Sequence, residues 1–257
     1  GSDVTGVGTA RRQSAAAEYG GDKAIFGYGY NGSTLSVSNL VNNSGVVAAD
    51  VTGVGTARRS LGAVSYGGDK AIFGYGLTDD RVSMTNLVNN SGVVGSDVNG
   101  VGTARSGVGT TTYGVTGQAL FAFGENASSQ TLNTRNLVNS SGVVASDASG
   151  AGSARQALAG NAYGVGLGIF AYGTSNTNVS NLVNNQGVVS ADVTGVGTGR
   201  QSPGATGYGT GLAIFAFGEA ASSNFTNVSN KVSFTGVVAS DTTGVGTGRY
   251  QVAGSNY

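Results

Sequence analysis

Asp50-Val51-Thr52-Gly53-Val54-Gly55-Thr56-Ala57-Arg58 is the stretch on which the reading of this chain turns. Copies of it begin at Asp3, Asp50, Asp97, Asp147, Asp192 and Asp241, and end at Arg11, Arg58, Arg105, Arg155, Arg200 and Arg249. Acid and arginine stay eight positions apart, while the step between copies drifts through 47, 47, 50, 45 and 49 residues. A segment that keeps its internal length while its surroundings vary is one element of a structural repeat. Five units therefore start near 3, 50, 97, 147 and 192, with a partial sixth over 241–257, and residues 1–257 are read as a single domain.

Outward from Arg58 the second unit continues as a series of short extended pieces. Residues 60–67 alternate small and apolar side chains and end at Tyr66-Gly67. Residues 70–76, Lys-Ala-Ile-Phe-Gly-Tyr-Gly, are almost continuously apolar, as in a strand covered on both faces. A variable polar stretch follows, then Val82 to Asn89, a turn at Asn90-Ser91-Gly92, and Val93-Val94 leading back to Asp97. Gly and Asn accept positive φ, so the Asn-Ser-Gly runs are turns. No stretch holds a helical period for ten residues. Four short strands per unit of about 48 residues is the pattern of a β-propeller blade. A β-solenoid is the opposed reading, but its coils usually repeat at about 20–30 residues.

The totals agree with a turn-rich β fold. The chain has 257 residues, 47 of them Gly, one Pro, no Cys and no His. A single proline and no Gly-X-Y period exclude collagen. Net charge is zero with 10% charged residues, so no basic face for nucleic acid is expected. No apolar run reaches the 18 or so residues a membrane helix needs, so no membrane insertion is expected.

Aromatic residues keep the same period. Phe26, Phe73, Phe121, Phe170 and Phe215 share a position in the second strand, and Tyr19, Tyr66, Tyr113, Tyr163, Tyr208 and Tyr257 share the end of the first. The Phe series is expected to be core between units, at about 1.5–3 kcal/mol per buried ring. The order of parts resembles a kelch repeat: Arg58, the strand Ala71 to Gly76 with its glycine pair, the extended Val82 to Val88, and the turn Gly92-Val93. The glycine pair is Gly-Tyr-Gly, Ala-Phe-Gly or Ala-Tyr-Gly in this chain, and Val46, Val93, Val143, Val188 and Val237 stand near the place of the usual Trp. The resemblance implies a ring of four-stranded blades whose first strands line a central channel. The fold expected is all-β, a five-bladed propeller with a redundant copy of the first strand, since second and third strands occur five times and the first six times. One terminal copy is expected to be loose or to pair with another chain, because unpaired edges recruit strands.

Six of thirteen acids and six of thirteen basic residues belong to the Asp/Arg segments. The structural reading is that Asp50 caps the Gly-rich turn and Arg58 reaches a carboxylate or carbonyls; whether the pair lies within or between units stays open. Asp-x-x-Gly-x-Gly is only weakly suggestive of a calcium loop, since calcium takes six to eight oxygens and one acid per loop supplies too few. A phosphate loop would need a helix after it. Asn39, Asn86, Asn136, Asn181 and Asn230 are expected to fix the third strand by side-chain-to-backbone hydrogen bonds.

Without histidine or cysteine, neither a Ser-His-Asp triad nor a Cys-His pair can be built, and no catalytic, cofactor or metal site is expected. The candidate ligand contacts lie in the variable loops: Tyr30 and Asn31, Asp79 and Asp80, Glu125 and Asn126, Ser175 and Asn176, Glu219 and Ser222. Loops on a rigid scaffold are where binding concentrates, and Ser/Thr/Asn-rich loops suit sugars or another neutral polar surface. The expected role is a non-enzymatic binding module, extracellular or on a virion surface, whose partner is a carbohydrate or another protein. The alternative is a self-assembling structural protein that uses its terminal strands to form homo-oligomers. A carboxylate glycosidase ranks third, since it needs two acids across one cleft.

Overall fold

A computed structural model describes residues 6–255 of the chain. Asp3 and Tyr257 lie outside these residues. The architecture is all-β: five main three-stranded antiparallel sheets follow one another in sequence, with two short 3-10 turns and two small accessory sheets, one of two strands and one of three, in the loops. The sheets are Ala15–Tyr19, Lys23–Tyr30 and Thr34–Val41; Gly62–Tyr66, Lys70–Gly74 and Thr85–Val88; Gly109–Tyr113, Gln118–Ala122 and Arg135–Val138; Ala159–Tyr163, Leu167–Ala171 and Ser180–Val183; Gly204–Tyr208, Leu212–Ala216 and Ser229–Val232. In each the second strand is central.

The expected fourth strand is reduced to isolated bridges. In the first unit Val41 pairs with Val47 and Ser38 with Val51, and the same two bridges recur in the other four units. The cause is the chain just after the turn, where Asn39 and its equivalents take a carbonyl of this edge with the side chain, as Asn86 takes Gly95 O at 3.0 Å. A side-chain amide occupies a place that a backbone ladder would otherwise fill.

Gly-Tyr-Gly has a backbone reason. Tyr28, Tyr75, Phe123, Tyr172 and Phe217 all sit in the left-handed region, with φ between 61° and 67°. The glycine that follows adopts φ of 108° to 126°, which only glycine enters without strain. At Gly76 a Cβ would also stand 2.9 Å from Arg59 O. In the first unit this pair of residues forms a register shift between Gly27 and Gly29, where the ladder continues past the bulge. The effect is to turn the aromatic side chain out of its own sheet and onto the next.

Neighbouring units are joined by that ring. Tyr28 meets Phe73, Tyr75 meets Phe121, Phe123 meets Phe170 and Tyr172 meets Phe215, each edge-on with centroids 5.1–5.5 Å apart. These are the favourable T-shaped contacts of aromatic quadrupoles. Phe73, Phe121, Phe170 and Phe215 have no solvent exposure. The turn glycines make a second joint: a Cβ on Gly92 would touch the Tyr19 ring at 2.9 Å, and Gly142, Gly187 and Gly236 stand in the same relation to Tyr66, Tyr113 and Tyr163.

The first strands gather around a common space. One cavity of about 140 Å³ is lined by 16–18, 63–65, 110–112, 160–162, Ala205 and 254–255, one stretch from each of the six copies. The C-terminal copy is not loose in its described part. Gln251 N donates to Ser202 O at 3.1 Å, Gly218 N donates to Arg249 O at 2.8 Å, and Val252 lies against Gly204. It forms no regular ladder, because the second strand that would pair with it is not supplied by any described residue.

Candidate functional site

The Asp/Arg segments resolve into a part-buried relay that links each copy to the one before it. Asp97 does not bond its own Gly-rich turn or its own Arg105. It accepts from Thr56 N at 3.0 Å and from Thr56 Oγ1 at 2.6 Å, in the preceding copy 41 residues away. Asp50, Asp147, Asp192 and Asp241 cap Thr9, Thr103, Ser153 and Thr198 in the same way. The expected capping role thus falls on the previous segment. Each arginine meets the acid of the copy that follows it, and the two bracket one three-stranded sheet.

Between acid and arginine stands the third-strand asparagine. Arg58 is wholly buried; its Nη2 donates to Asn86 Oδ1 at 2.7 Å, Nε to Tyr75 O at 2.9 Å and Nη1 to Thr56 O at 3.1 Å. Asn86 Nδ2 then donates to Asp97 Oδ1 at 2.9 Å, while Arg58 and Asp97 are themselves 4.0 Å apart. The other Arg–Asn contacts run from 2.5 to 2.8 Å. The guanidiniums of Arg58, Arg105, Arg155 and Arg200 also lie over an aromatic of the unit before, Arg58 on Tyr28 at 4.3 Å and Arg200 on Tyr172 at 3.8 Å. Charge, hydrogen bonds and the ring face together compensate the desolvation of arginine.

Burial lowers the arginine pKa values, and takes Arg155 down to about 10 against the opposing pull of Asp192. All five acids lie below their ordinary 3.8. For Asp50 the Thr9 hydroxyl and the Asn39 amide are the main causes. For Asp97, Asp147, Asp192 and Asp241 burial acts upward, and the hydroxyl, amide and backbone donors outweigh it. A carboxylate whose folded pKa is depressed contributes stability that is present above the unfolded value and vanishes as pH falls through the folded one. The melting temperature is therefore expected to hold from neutral pH down to about 4 and to fall below it as all five sites protonate. Thermal melts at stepped pH test this; a Tm unchanged down to pH 2 would exclude a stabilising role for these acids.

A second polar constellation sits at one mouth of the central space. Gln13, Ser60, Gly107, Ala157, Ser202 and Gln251, each two places after its arginine, all have φ between 51° and 64°. They are linked N to O in sequence, Ser60 to Gln13, Gly107 to Ser60, Ala157 to Gly107, Ser202 to Ala157 and Gln251 to Ser202, at 2.7–3.1 Å. A non-glycine residue in this region costs about 1–3 kcal/mol, and such strain is held only where surroundings enforce it. The kink opens a cavity of about 300 Å³, lined by these residues with Gln156, Gln201, Thr174 and Glu219 among others.

The loop candidates divide by position. Glu219 faces the cavity and accepts from Gln201 at 3.3 Å. Glu125 is close by, paired with Arg81 and with the Gln156 amide, and Asn126 closes its loop by accepting from Ser128 N and Gln130 N at 3.0 Å. Tyr30 lies between two guanidiniums, Arg59 at 4.5 Å and Arg12 at 5.5 Å. Asn31 accepts from Ser33 N at 3.4 Å. Asp79, Asp80, Ser175 and Ser222 are exposed turn residues outside the cavity lining, and Asn176 buries its Oδ1 without a partner. The fifth loop adds Phe225, 46% exposed, stacked on Tyr250 at 4.4 Å and 10°. Its strand pairs Phe225 with Glu219, which brings the ring pair beside the cavity.

The cavity residues Gln13, Gln156, Gln201 and Gln251 were not singled out in the sequence, although their amides recur one or two places after an arginine. Among the described residues no cluster of three acids is placed to hold a metal ion, and no helix is long and apolar enough to cross a membrane. No family model matches the chain, and no curated protein is similar to it.

Proposed function

We propose that the chain is a kelch-like β-propeller binding module, non-enzymatic, whose loops at the mouth of the central channel take a neutral polar ligand of the glycan class. The cavity of about 300 Å³ carries this reading. Its polar side chains include the amides of Gln13, Gln156, Gln201 and Gln251 and several hydroxyls, which donate to and accept from sugar hydroxyls, and they alternate with apolar Leu61, Val108, Leu158 and Val252. The Phe225–Tyr250 pair beside it offers a flat apolar face for a pyranose ring. The propeller reading is supported by the lining of the central space by six successive first-strand stretches and by the same aromatic joint repeated between units. Low charge, absence of Cys and richness in Gly, Ser, Thr and Asn support an extracellular or virion-surface setting.

The test is a glycan array followed by titration of any retained glycan. Phe225→Ala and Gln201→Ala, both in loops, are expected to weaken binding at least tenfold with an unchanged circular dichroism spectrum. No retention, or retention indifferent to both changes, would remove the glycan reading. The ion pair of Glu125 with Arg81 supports a structural role for this acid. The structural-assembly reading draws on a different observation, the incomplete burial of the two end units.

A further inference from the structure

Charge is not spread evenly around the larger cavity. The position after each repeat arginine is Arg12, Arg59, Ser106, Gln156, Gln201 and Tyr250. The two cations of this series are consecutive members, and each immediately precedes a residue that lines the cavity, Gln13 or Ser60. Backbone pairs fix both. Arg12 and Tyr30 exchange hydrogen bonds at 3.0 and 2.9 Å, and Arg59 and Leu77 at 3.0 and 2.8 Å.

Both guanidiniums lie over one ring. Arg59 is 4.5 Å and Arg12 5.5 Å from the centroid of Tyr30, so the two cations stand within about 10 Å of each other. The ring attracts a guanidinium through its face. A guanidinium held by its face keeps its edge free, and that edge carries all five N–H donors.

Those donors have no acceptor in the described chain, which sets the pair apart from most other cations. Arg58, Arg105, Arg155 and Arg200 each donate to a third-strand asparagine. Lys23 and Lys70 pair with Asp22 and Asp69, Arg81 pairs with Glu125, and Arg135 donates to Ser149 O. Among the described residues neither Arg12 nor Arg59 is engaged by an acid or a hydrogen-bond acceptor, and the Tyr30 ring is their shared contact. Asp79 and Asp80, in the loop after Leu77, are exposed and pair with neither.

We propose that Arg12 and Arg59, held on Tyr30, form an oxyanion subsite on the rim. It takes a carboxylate or sulfate substituent of a saccharide whose neutral units occupy the cavity. The proposal rests on the glycan reading and adds a charged end to the ligand. Arg12 is exposed and Arg59 half-buried, so both are open to a ligand. The planar fork of each meets an oxyanion with two parallel N–H···O bonds. Glu219 lines the cavity from the fifth unit and gives the ligand a direction, since it repels an acidic group that the arginines of the first two units attract.

The test uses the full chain and three oligosaccharides built on the neutral backbone best retained on the glycan array: unmodified, with one uronate, and with one sulfate. Titration calorimetry is expected to place at least one acidic form above the neutral one by about tenfold, the scale of a charge-assisted pair of hydrogen bonds. The stronger of the two acidic forms identifies the oxyanion. The advantage should shrink as salt rises from about 50 to 500 mM, because exposed charges are screened. Arg12→Gln and Arg59→Gln should each remove most of the advantage and leave neutral binding within about twofold. Neither side chain serves a described acceptor, so both variants are expected to keep the melting temperature of the parent. Arg12 is exposed, so R12Q carries the test if R59Q does not fold. Neutral and acidic forms bound equally, or an advantage that survives both substitutions, overturns the subsite and leaves the glycan reading standing. If the array retains no saccharide, the glycan reading falls and the subsite with it. A glutamate-rich peptide bound more tightly than either acidic sugar, with the same dependence on the arginines, would make the occupant a protein segment, and the saccharide assignment would be wrong.

Discussion

Asn86→Leu is expected to destabilise the protein by about 3–5 kcal/mol, the range for removing one partner from a buried charge network. The substitution keeps volume and deletes both amide functions. Arg58, with no solvent access, loses its 2.7 Å acceptor, while Asp97 loses its 2.9 Å donor and Gly95 O loses a 3.0 Å bond. Arg58 and Asp97 at 4.0 Å then face each other across an apolar side chain. For a chain of this size the loss corresponds to a fall in Tm of roughly 6–20 °C. Urea denaturation of N86L and of the double variant Arg58→Met/Asn86→Leu checks the mechanism. The double variant should recover part of the loss, because an apolar pair leaves no charge uncompensated. A loss below about 1 kcal/mol in N86L would show that the relay is incidental to stability.

Phe121→Ala is the second large effect, about 3–5 kcal/mol for a buried ring whose site cannot collapse. The ring meets Tyr75 at 5.1 Å and 65°, and it lies against Gly62 and Gly74, which have no side chains to move into the space. Phe26→Ala is a control at the equivalent repeat position, half-buried and without an edge-on partner among the described residues. It is expected to cost about half as much, since the lost transfer and cavity terms both scale with burial. Equal losses at the two positions would mean that Phe26 is as fully covered in solution as its equivalents.

How far the sequence could be read depended on whether the information was local. The second unit illustrates this. Apolar continuity in Lys70–Gly74 marked a strand covered on both faces, and Asn90-Ser91-Gly92 marked the turn; both stand where the pattern puts them. Gly-Tyr-Gly was legible as a motif, but its left-handed tyrosine was not. Positive φ at Tyr75 is tolerable only because Arg105 and Phe121 of the next unit hold the ring. The polar lining of the channel mouth was missed for a related reason. Gln156 and Gln201 are ordinary residues by type, and line one cavity only because the fold brings successive units together.

The nine-residue segment shows the division most clearly. Its recurrence and constant eight-residue span, the five sets of strands and the periodic aromatics follow from the amino-acid sequence alone, because each reflects short-range steric and hydrogen-bonding preferences repeated along the chain. The partner of each acid was decided only by tertiary structure. Asp97 caps Thr56 and serves Arg58 through Asn86, 41, 39 and 11 residues back along the chain. The third strand and its turn carry the acid back beside the preceding copy of the segment, and no spacing within the segment encodes that return.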